Sequence, residues 1–159
     1  MAGDLRSKER AIVTLTSTGG SLTNGSAGAG NGTADFDARS TGNFPDDLQA
    51  QFELIAQWAT VTGIAANVVV ADLYLLPALD GTNFPDIDTT TGSSALPYSA
   101  YVGSFVATKA PTANTNARFV TPNVTFNPML HRPYILNRSG QTISTNWTLK
   151  AVGVQGQYT

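Results

Sequence analysis

The single histidine of the chain is its only candidate for imidazole catalysis. His131 lies in the segment PMLHRPY, between two prolines and beside Arg132. A Ser-His-Asp triad needs a hydroxyl and a carboxylate that converge on the imidazole, and no G-x-S-x-G turn presents a serine here. Because the chain has no cysteine, thiol nucleophiles and thiolate metal sites are excluded. We therefore interpret His131 as a surface or interface histidine and predict no catalytic residue.

Carboxylates are the second source of possible chemistry, and they form two small clusters, Asp46-Asp47 and the group Asp80, Asp86 and Asp88. Glycoside hydrolysis needs two carboxylates facing each other across a cleft, whereas neighbours on a strand point to opposite faces. The second cluster, with Asn83, offers the hard oxygens that calcium prefers, but the order of a calcium-binding loop is missing. The pattern favours turn-forming carboxylates, with no metal site and no cofactor.

Aromatic side chains supply the remaining binding chemistry, because tyrosine and tryptophan rings can stack on a sugar. Along their predicted strands, Trp58 and Trp147 occupy the same alternate positions as the apolar residues, which predicts that both side chains lie in the core. An exposed platform would then come from Tyr98, Tyr101 or Tyr134. A carbohydrate-binding module is therefore one alternative for the function of the chain.

The elements that position these residues are predicted to be strands of one domain. The chain has 159 residues, which suits a single domain of roughly 100–200 residues. It is rich in threonine, asparagine, serine and glycine, which favour strands and turns over helices. Charged residues are 13% of the chain and the net charge is −2, so we expect neither a nucleic-acid partner nor a membrane partner. The polar N-terminus and the absence of a long apolar run predict a soluble protein without a cleaved secretion signal.

The clearest periodic signal lies in DLQAQFELIAQWATV, where apolar and mainly polar residues alternate. Apolar residues occupy the even positions from Leu48 to Trp58, which predicts a strand with one buried face. Helical spacing of Leu48, Phe52, Ile55 and Ala59 is the alternative, but the strict alternation favours the strand. The segment ANVVVADLYLLPAL, residues 66–79, is apolar around Val68–Val70 and Leu73–Leu76, which predicts a strand covered on both sides or one at an oligomer interface.

Turns and shorter strands are predicted for the rest of the chain. Half of residues 1–10 are charged, and we interpret them as a solvated or partner-bound arm that precedes one domain, residues 11–159. The glycine-rich stretch 19–32 is expected to be a flexible hairpin or an ordered loop, and it lacks the lysine of a phosphate-binding loop. Asp80-Gly81 predicts a tight turn, and Gly140 is expected in the left-handed region after Asn137. The strand predictions are residues 11–18, 101–108, 117–126, 134–137 and 147–155, an antiparallel sandwich or barrel.

Three segments carry a resemblance over about residues 11–159: QWATVTGIAANVVVADLYLLPALDGTNFPD, PYSAYVGSF and YILNRSGQTISTNWTLKAVGVQGQY. In order and spacing they resemble small all-β virion proteins of tailed bacteriophages. The resemblance implies a jelly-roll-like sandwich without enzymatic activity that decorates or cements the capsid surface as a homo-oligomer, such as a trimer. The implied partners are a second copy of the chain and the major capsid protein, and the implied location is the virion. A tail or head–tail component, such as a collar, adaptor or fibre anchor, is the alternative within the same class.

Excess apolarity in the strand segments suggests where the chain associates with itself or with a capsid. We expect this surface among residues 68–76 and the C-terminal strand, 147–158. The candidate residues are Val68, Val70, Leu73, Leu75, Trp147, Leu149, Val152 and Tyr158.

Overall fold

The computed structural model describes residues 5–9, 11–29, 35–39, 42, 49–87 and 96–158. The described residues form an all-β protein with one short 3-10 helix, Tyr98–Ala100. The strands are β1 (Leu5–Glu9), β2 (Val13–Gly19), β3 (Ala27–Gly28), β4 (Phe36–Asp37), β5 (Gln49–Ala56), β6 (Val69–Pro77), β7 (Tyr101–Val106), β8 (Ala117–Val120), β9 (Val124–Thr125), β10 (Leu130–Asn137) and β11 (Trp147–Tyr158).

Two antiparallel sheets pack face to face. The six-stranded sheet has the order β1-β11-β5-β8, with β2 also paired to β11 and β9 also paired to β5. The five-stranded sheet has the order β3-β10-β6-β7, with β4 also paired to β10. The predicted antiparallel β-sandwich is confirmed.

The strand order is that of a jelly roll. Strands β1 and β2 run along the same neighbour, as do β3 and β4, and β8 and β9, so each pair fills one strand position. With these pairs merged, the positions in chain order give one sheet as 1-8-3-6 and the other as 2-7-4-5. This is a long hairpin rolled up so that first pairs with last, the arrangement of jelly-roll domains.

Strand β5 shows how alternation builds the core. Ala50, Phe52, Leu54 and Ala56 are buried between the sheets, and the intervening residues are partly exposed. The strand prediction is confirmed over Gln49–Ala56, and the helical alternative is wrong; Leu48 lies outside the described residues. Phe52 packs against Phe36, which meets Phe126 edge to face at 4.6 Å between ring centroids.

Strand β6 is buried on both of its faces, as its mostly apolar sequence predicts. Its inner face contributes Val70, Leu73 and Leu75 to the core between the sheets. Its outer face belongs to a second cluster of buried residues with Ala27, Ala100 and Leu136, against which Ile87 and Leu96 pack. The strand ends at Pro77, which cannot donate a backbone hydrogen bond.

Part of the segment predicted as a solvated or partner-bound arm, residues 1–10, forms an edge strand of the six-stranded sheet. Leu5–Glu9 pairs with Val154–Tyr158 of β11 in antiparallel register, whereas Met1–Asp4 and Arg10 lie outside the described residues. Strand β1 can pair here because β11 is long and continues beyond the residues that pair with β2. Its remaining backbone groups are satisfied by β1.

The single strand predicted over 117–126 is broken into β8 and β9. Between them, Thr121 accepts a hydrogen bond from the Phe52 amide through its side-chain oxygen and donates its own amide to the Phe52 carbonyl. Pro122 follows and has no amide hydrogen to continue the ladder. A threonine side chain therefore replaces a backbone partner at this break.

Candidate functional site

The outer face of the five-stranded sheet carries a row of tyrosines. The register places Tyr134 opposite Tyr74, and Tyr74 opposite Tyr101. Opposed residues on antiparallel strands point to the same face, and the rings of Tyr74 and Tyr101 meet edge to face at 5.6 Å. The centre of the row is covered, because Tyr74 is buried and Tyr134 is partly buried.

Tyr98 extends this row beyond the sheet edge. It begins the 3-10 helix that leads into β7, and its ring lies nearly parallel to that of Tyr101, with 6.2 Å between centroids and 11° between planes. Tyr98 is 87% exposed and Tyr101 38% exposed. The structure thus brings together two of the three tyrosines that the sequence offers as a platform, while Tyr134 lies two strands away.

A chain of polar contacts continues from Tyr101 across the sheet. The Tyr101 hydroxyl and Ser104 Oγ are 2.8 Å apart, and Ser104 Oγ donates to Asp72 Oδ1. Asp72 Oδ2 accepts from Arg138 Nε at 2.9 Å. We call the surface formed by Tyr98, Tyr101, Ser104, Asp72 and Arg138 the tyrosine strip.

Electrostatics in the tyrosine strip follow from the Asp72–Arg138 pair. The hydrogen bond to Asp72 raises the pKa of the Arg138 guanidinium above its usual value. Burial raises the pKa of the Tyr74 hydroxyl, and the nearby charge of Asp72 raises it further. The Asp72–Arg138 ion pair of the strip therefore lies beside the buried Tyr74 hydroxyl.

The six-stranded sheet presents a different surface on its outer face. Lys150, Glu53 and Val120 lie opposite one another on β11, β5 and β8. Around them, a hollow of about 180 Å³ is lined by side chains that include Ile12, Gln51 and Val152. Ile12 is 68% exposed and Val120 57% exposed. We call the surface of Ile12, Gln51, Glu53, Val120, Lys150 and Val152 the open face.

Ion pairs cross the open face between strands. Glu53 Oε1 accepts from Arg118 Nη1 at 2.9 Å, and Glu53 Oε2 lies 3.8 Å from Lys150 Nζ. One carboxylate is thus shared by two cations, one on each neighbouring strand. The open face combines exposed apolar side chains with this group of paired charges.

Most of the association residues expected from apolarity lie in the core. Val70, Leu73, Leu75, Trp147 and Leu149 are buried between the two sheets of the same chain, so their side chains are not at a surface. Val68 and Val152 are partly exposed, and the side chain of Tyr158 lies outside the described residues. Of the predicted association residues whose side chains are described, only Val152 belongs to the open face. The prediction failed for the others because an apolar strand residue has the same sequence pattern whether it faces the core or a partner.

His131 is a buried residue, and its prediction as a surface or interface histidine is wrong. It lies on the inward parity of β10, next to Phe36 and Phe126. Its Nδ1 is 3.0 Å from the Met129 carbonyl oxygen, which requires the proton on Nδ1. Burial lowers the pKa of the imidazole below its usual value, against the opposing effects of the Met129 carbonyl and Asp37. Packing against these two rings accounts for the position of this histidine.

Asp80, the first residue of the predicted acidic cluster, stabilises a turn. Asp80 accepts hydrogen bonds from the amides of Thr82 and Asn83 and from the Asn83 side chain, and these bonds lower the pKa of its carboxyl. Asp80-Gly81 forms the predicted turn, with Gly81 at φ 75°. Among the described residues, no three acidic or histidine side chains are grouped to hold a metal ion. Asp46-Asp47 and Asp88 lie outside the described residues.

A buried polar cluster at the end of β10 is absent from the sequence-based predictions. Asn137 is fully buried; it donates to the carbonyls of Leu22 and Gln141 and accepts from the amide of Ser139. Ser139 Oγ in turn accepts from the Trp58 indole nitrogen at 3.0 Å. The sequence indicates only a turn here, and Gly140 does adopt the predicted left-handed conformation, with φ 76°. These contacts tie three distant segments together.

Comparisons with known proteins do not assign the chain to a family, so its class is given by its fold. A scan against protein-family models finds no match, and searches of curated proteins and of solved structures find none either. No helix formed by the described residues has the length and apolarity to cross a membrane. The chain is a jelly-roll β-sandwich with two distinct candidate surfaces, the tyrosine strip and the open face.

Proposed function

We propose that the chain is a non-enzymatic structural protein of a bacteriophage virion that binds the outer capsid lattice as a homo-oligomer. The observation that carries the proposal is the open face, where Ile12 and Val120 are exposed beside the Glu53 ion pairs. No described segment of the chain covers these two side chains. A capsid subunit is the occupant proposed for this face.

The chemistry of the open face suits a protein partner. Interface centres are depleted in charge, and here one carboxylate, Glu53, is shared by the two cations Arg118 and Lys150. The surface therefore offers apolar contact around charges that each have an oppositely charged neighbour within the chain. Jelly rolls are a common architecture of capsid proteins, although the fold alone does not define a function. The sequence resemblance to phage virion proteins supports the same assignment.

Particle labelling tests the location directly. Antibodies raised against the purified chain are applied to phage particles that carry its gene, and bound gold is imaged by electron microscopy. We expect labelling over the whole head, with hundreds of copies per particle by quantitative mass spectrometry. Labelling confined to the neck or tail, with about a dozen copies, would favour a connector. Unlabelled particles that contain no copies would exclude the virion altogether.

Variants of the open face test the surface itself. Ile12→Asp and Val120→Asp place a charge in the proposed contact and should abolish recovery of the protein on particles, while the β-sheet circular dichroism stays unchanged. Leu79→Asp is the matched control, because Leu79 is an apolar residue at the turn after β6 that is even more exposed than Ile12 and Val120. If the control loses occupancy and the two open-face variants retain it, the contact lies elsewhere.

Light scattering after size exclusion tests the homo-oligomer. We expect a mass near a multiple of 16.7 kDa that is the same at two protein concentrations. A monomer at both concentrations would contradict a stable oligomer in solution.

A further inference from the structure

We propose that the tyrosine strip is a carbohydrate-binding site, in which Tyr98 and Tyr101 stack on a pyranose ring and Ser104, Asp72 and Arg138 bind its hydroxyl groups. The inference is independent of the proposed virion role, since it concerns the opposite sheet and a different ligand.

Exposure of the aromatic rings is the first argument. Tyrosine combines an apolar ring with a polar hydroxyl group, and a solvent-exposed ring is available for stacking on a ligand. Tyr98 is 87% exposed and held nearly parallel to Tyr101, although the fold has an apolar cluster nearby that could have buried it. That cluster takes up Tyr74, Leu76 and Ala100 instead. Two rings therefore remain as a platform at the edge of the sheet.

The polar groups beside the rings supply the second half of sugar recognition. A carboxylate accepts up to about four hydrogen bonds, and those described for Asp72 are from Ser104 and Arg138. Sugar hydroxyls both donate and accept, so the carboxylate can accept from one hydroxyl while the guanidinium donates to the next. The Tyr101 hydroxyl lies within the same network, through Ser104. Stacking and hydrogen bonding are thus contiguous.

The strip is held in place before a ligand arrives. Asp72 is anchored on both oxygens, from β7 and from the turn after β10, and Tyr101 is anchored by contacts with Tyr74 and Ser104. Binding therefore orders few side chains and loses little conformational entropy. By comparison, Arg132 on the same face is already occupied by Asp35 and lies over the Phe84 ring at 4.0 Å. The site is confined to the Tyr98–Arg138 side of the sheet.

A soluble glycan is a better occupant than a second protein. The exposed apolar surface of the strip is two tyrosine rings interrupted by hydroxyl and charged groups, whereas a stable protein interface buries about 800 Å² on each partner. The open face, with its aliphatic side chains, is the surface suited to protein contact. The two faces therefore differ in chemistry as well as in position.

The test uses the full chain and a fixed set of probes: maltoheptaose, cellohexaose, chitohexaose and a purified bacterial O-antigen polysaccharide. Saturation-transfer NMR identifies binding, and isothermal titration gives the dissociation constant. We expect at least one probe to bind with a dissociation constant of about 1 mM or lower. Tyr98→Ala should weaken that binding about tenfold, the equivalent of about 1.4 kcal/mol, because it removes the outer ring. Asp72→Asn should weaken it as well.

Matched variants distinguish the site from a general effect on the protein. Tyr98→Phe keeps the ring and should bind more tightly than Tyr98→Ala, whereas Leu79→Ala removes an exposed apolar side chain outside both surfaces and should bind within about twofold of the parent. The proposal is overturned if none of the four probes binds at about 10 mM, or if binding survives Tyr98→Ala and Asp72→Asn together. A change of mass in solution with Tyr98→Ala, without any glycan binding, would instead assign the strip to contact with a second copy.

Discussion

The indole nitrogen of Trp58 donates a 3.0 Å hydrogen bond to the hydroxyl of Ser139, 81 positions away in the chain. Trp58 follows the end of β5 in the six-stranded sheet, and Ser139 lies in the turn after β10 in the other sheet. Both groups are buried. The bond therefore fastens the two sheets at one end of the sandwich, and its loss leaves a buried donor without a partner.

Ser139→Ala should lower the free energy of unfolding by about 1–3 kcal/mol, because it orphans the Trp58 N–H and removes a partner of Asn137. Chemical denaturation followed by tryptophan fluorescence measures the change. In a Trp58→Phe background, the same substitution should cost less, since no indole donor remains. If Ser139→Ala costs the same in both backgrounds, within about 0.5 kcal/mol, the hydrogen bond between Trp58 and Ser139 does not contribute to stability.

Gly19→Ala should destabilise the fold by about 1–3 kcal/mol through overcrowding. A Cβ at Gly19 would overlap the indole of Trp147, which covers this part of β2. Gly20→Ala is a neighbouring control, because a Cβ there meets no heavy atom within 4 Å, and it should stay within about 0.5 kcal/mol of the parent. Thermal unfolding of the two variants compares them. Equal stability would contradict the close approach of Gly19 and Trp147.

Acidification should destabilise the protein through His131. Burial places the pKa of its imidazole in the folded state below the value of about 6.5 in the unfolded state, so the unfolded chain binds the proton more readily. Stability from the neutral imidazole is therefore complete above pH 6.5 and is lost as the pH falls from there towards the folded-state pKa. The acidic partner Asp37 titrates lower, because its hydrogen bond with Arg39 lowers the pKa of its carboxyl.

The measurement for His131 is the free energy of unfolding between pH 7.5 and pH 5, about one unit on either side of the ordinary histidine pKa. The parent should lose stability over this range, whereas His131→Gln, which cannot titrate, should show a flatter profile even if it is less stable throughout. Parallel profiles for the two proteins would assign the pH dependence to other groups.

Two arginines should differ in their effect on stability. Arg138→Gln leaves the carboxylate of Asp72, a buried residue, without its cation, and should cost about 1–3 kcal/mol. Arg118→Gln removes a partner of Glu53, whose side chain is 25% exposed against 12% for Asp72 and which keeps Lys150 nearby, and should cost less than about 1 kcal/mol. Urea denaturation at low and high salt compares them. A larger cost for Arg118→Gln would show that the Arg118–Glu53 pair stabilises the fold more than the Arg138–Asp72 pair.

Local sequence patterns predicted the elements that depend on neighbouring residues alone. Alternation from Ala50 to Ala56 specifies a strand with one buried face, and Pro77 ends β6 because proline lacks an amide hydrogen. The Asp80 turn and the left-handed Gly140 also follow from the properties of those residue types. The break between β8 and β9 was missed, although Pro122 marks it, because the Thr121 side-chain bond to Phe52 is a contact across 69 positions.

The sequence by itself determined an all-β chain of antiparallel strands without thiol chemistry. Only the tertiary structure decided which apolar residues face the core. Leu73 and Val152 are both apolar strand residues, but Leu73 is buried between the sheets and Val152 lies on the open face. It also decided that His131 is buried and that Tyr101, Ser104, Asp72 and Arg138 form one network. These contacts depend on strand register between distant segments, which is set by the joint burial of both sheets and not by any local pattern.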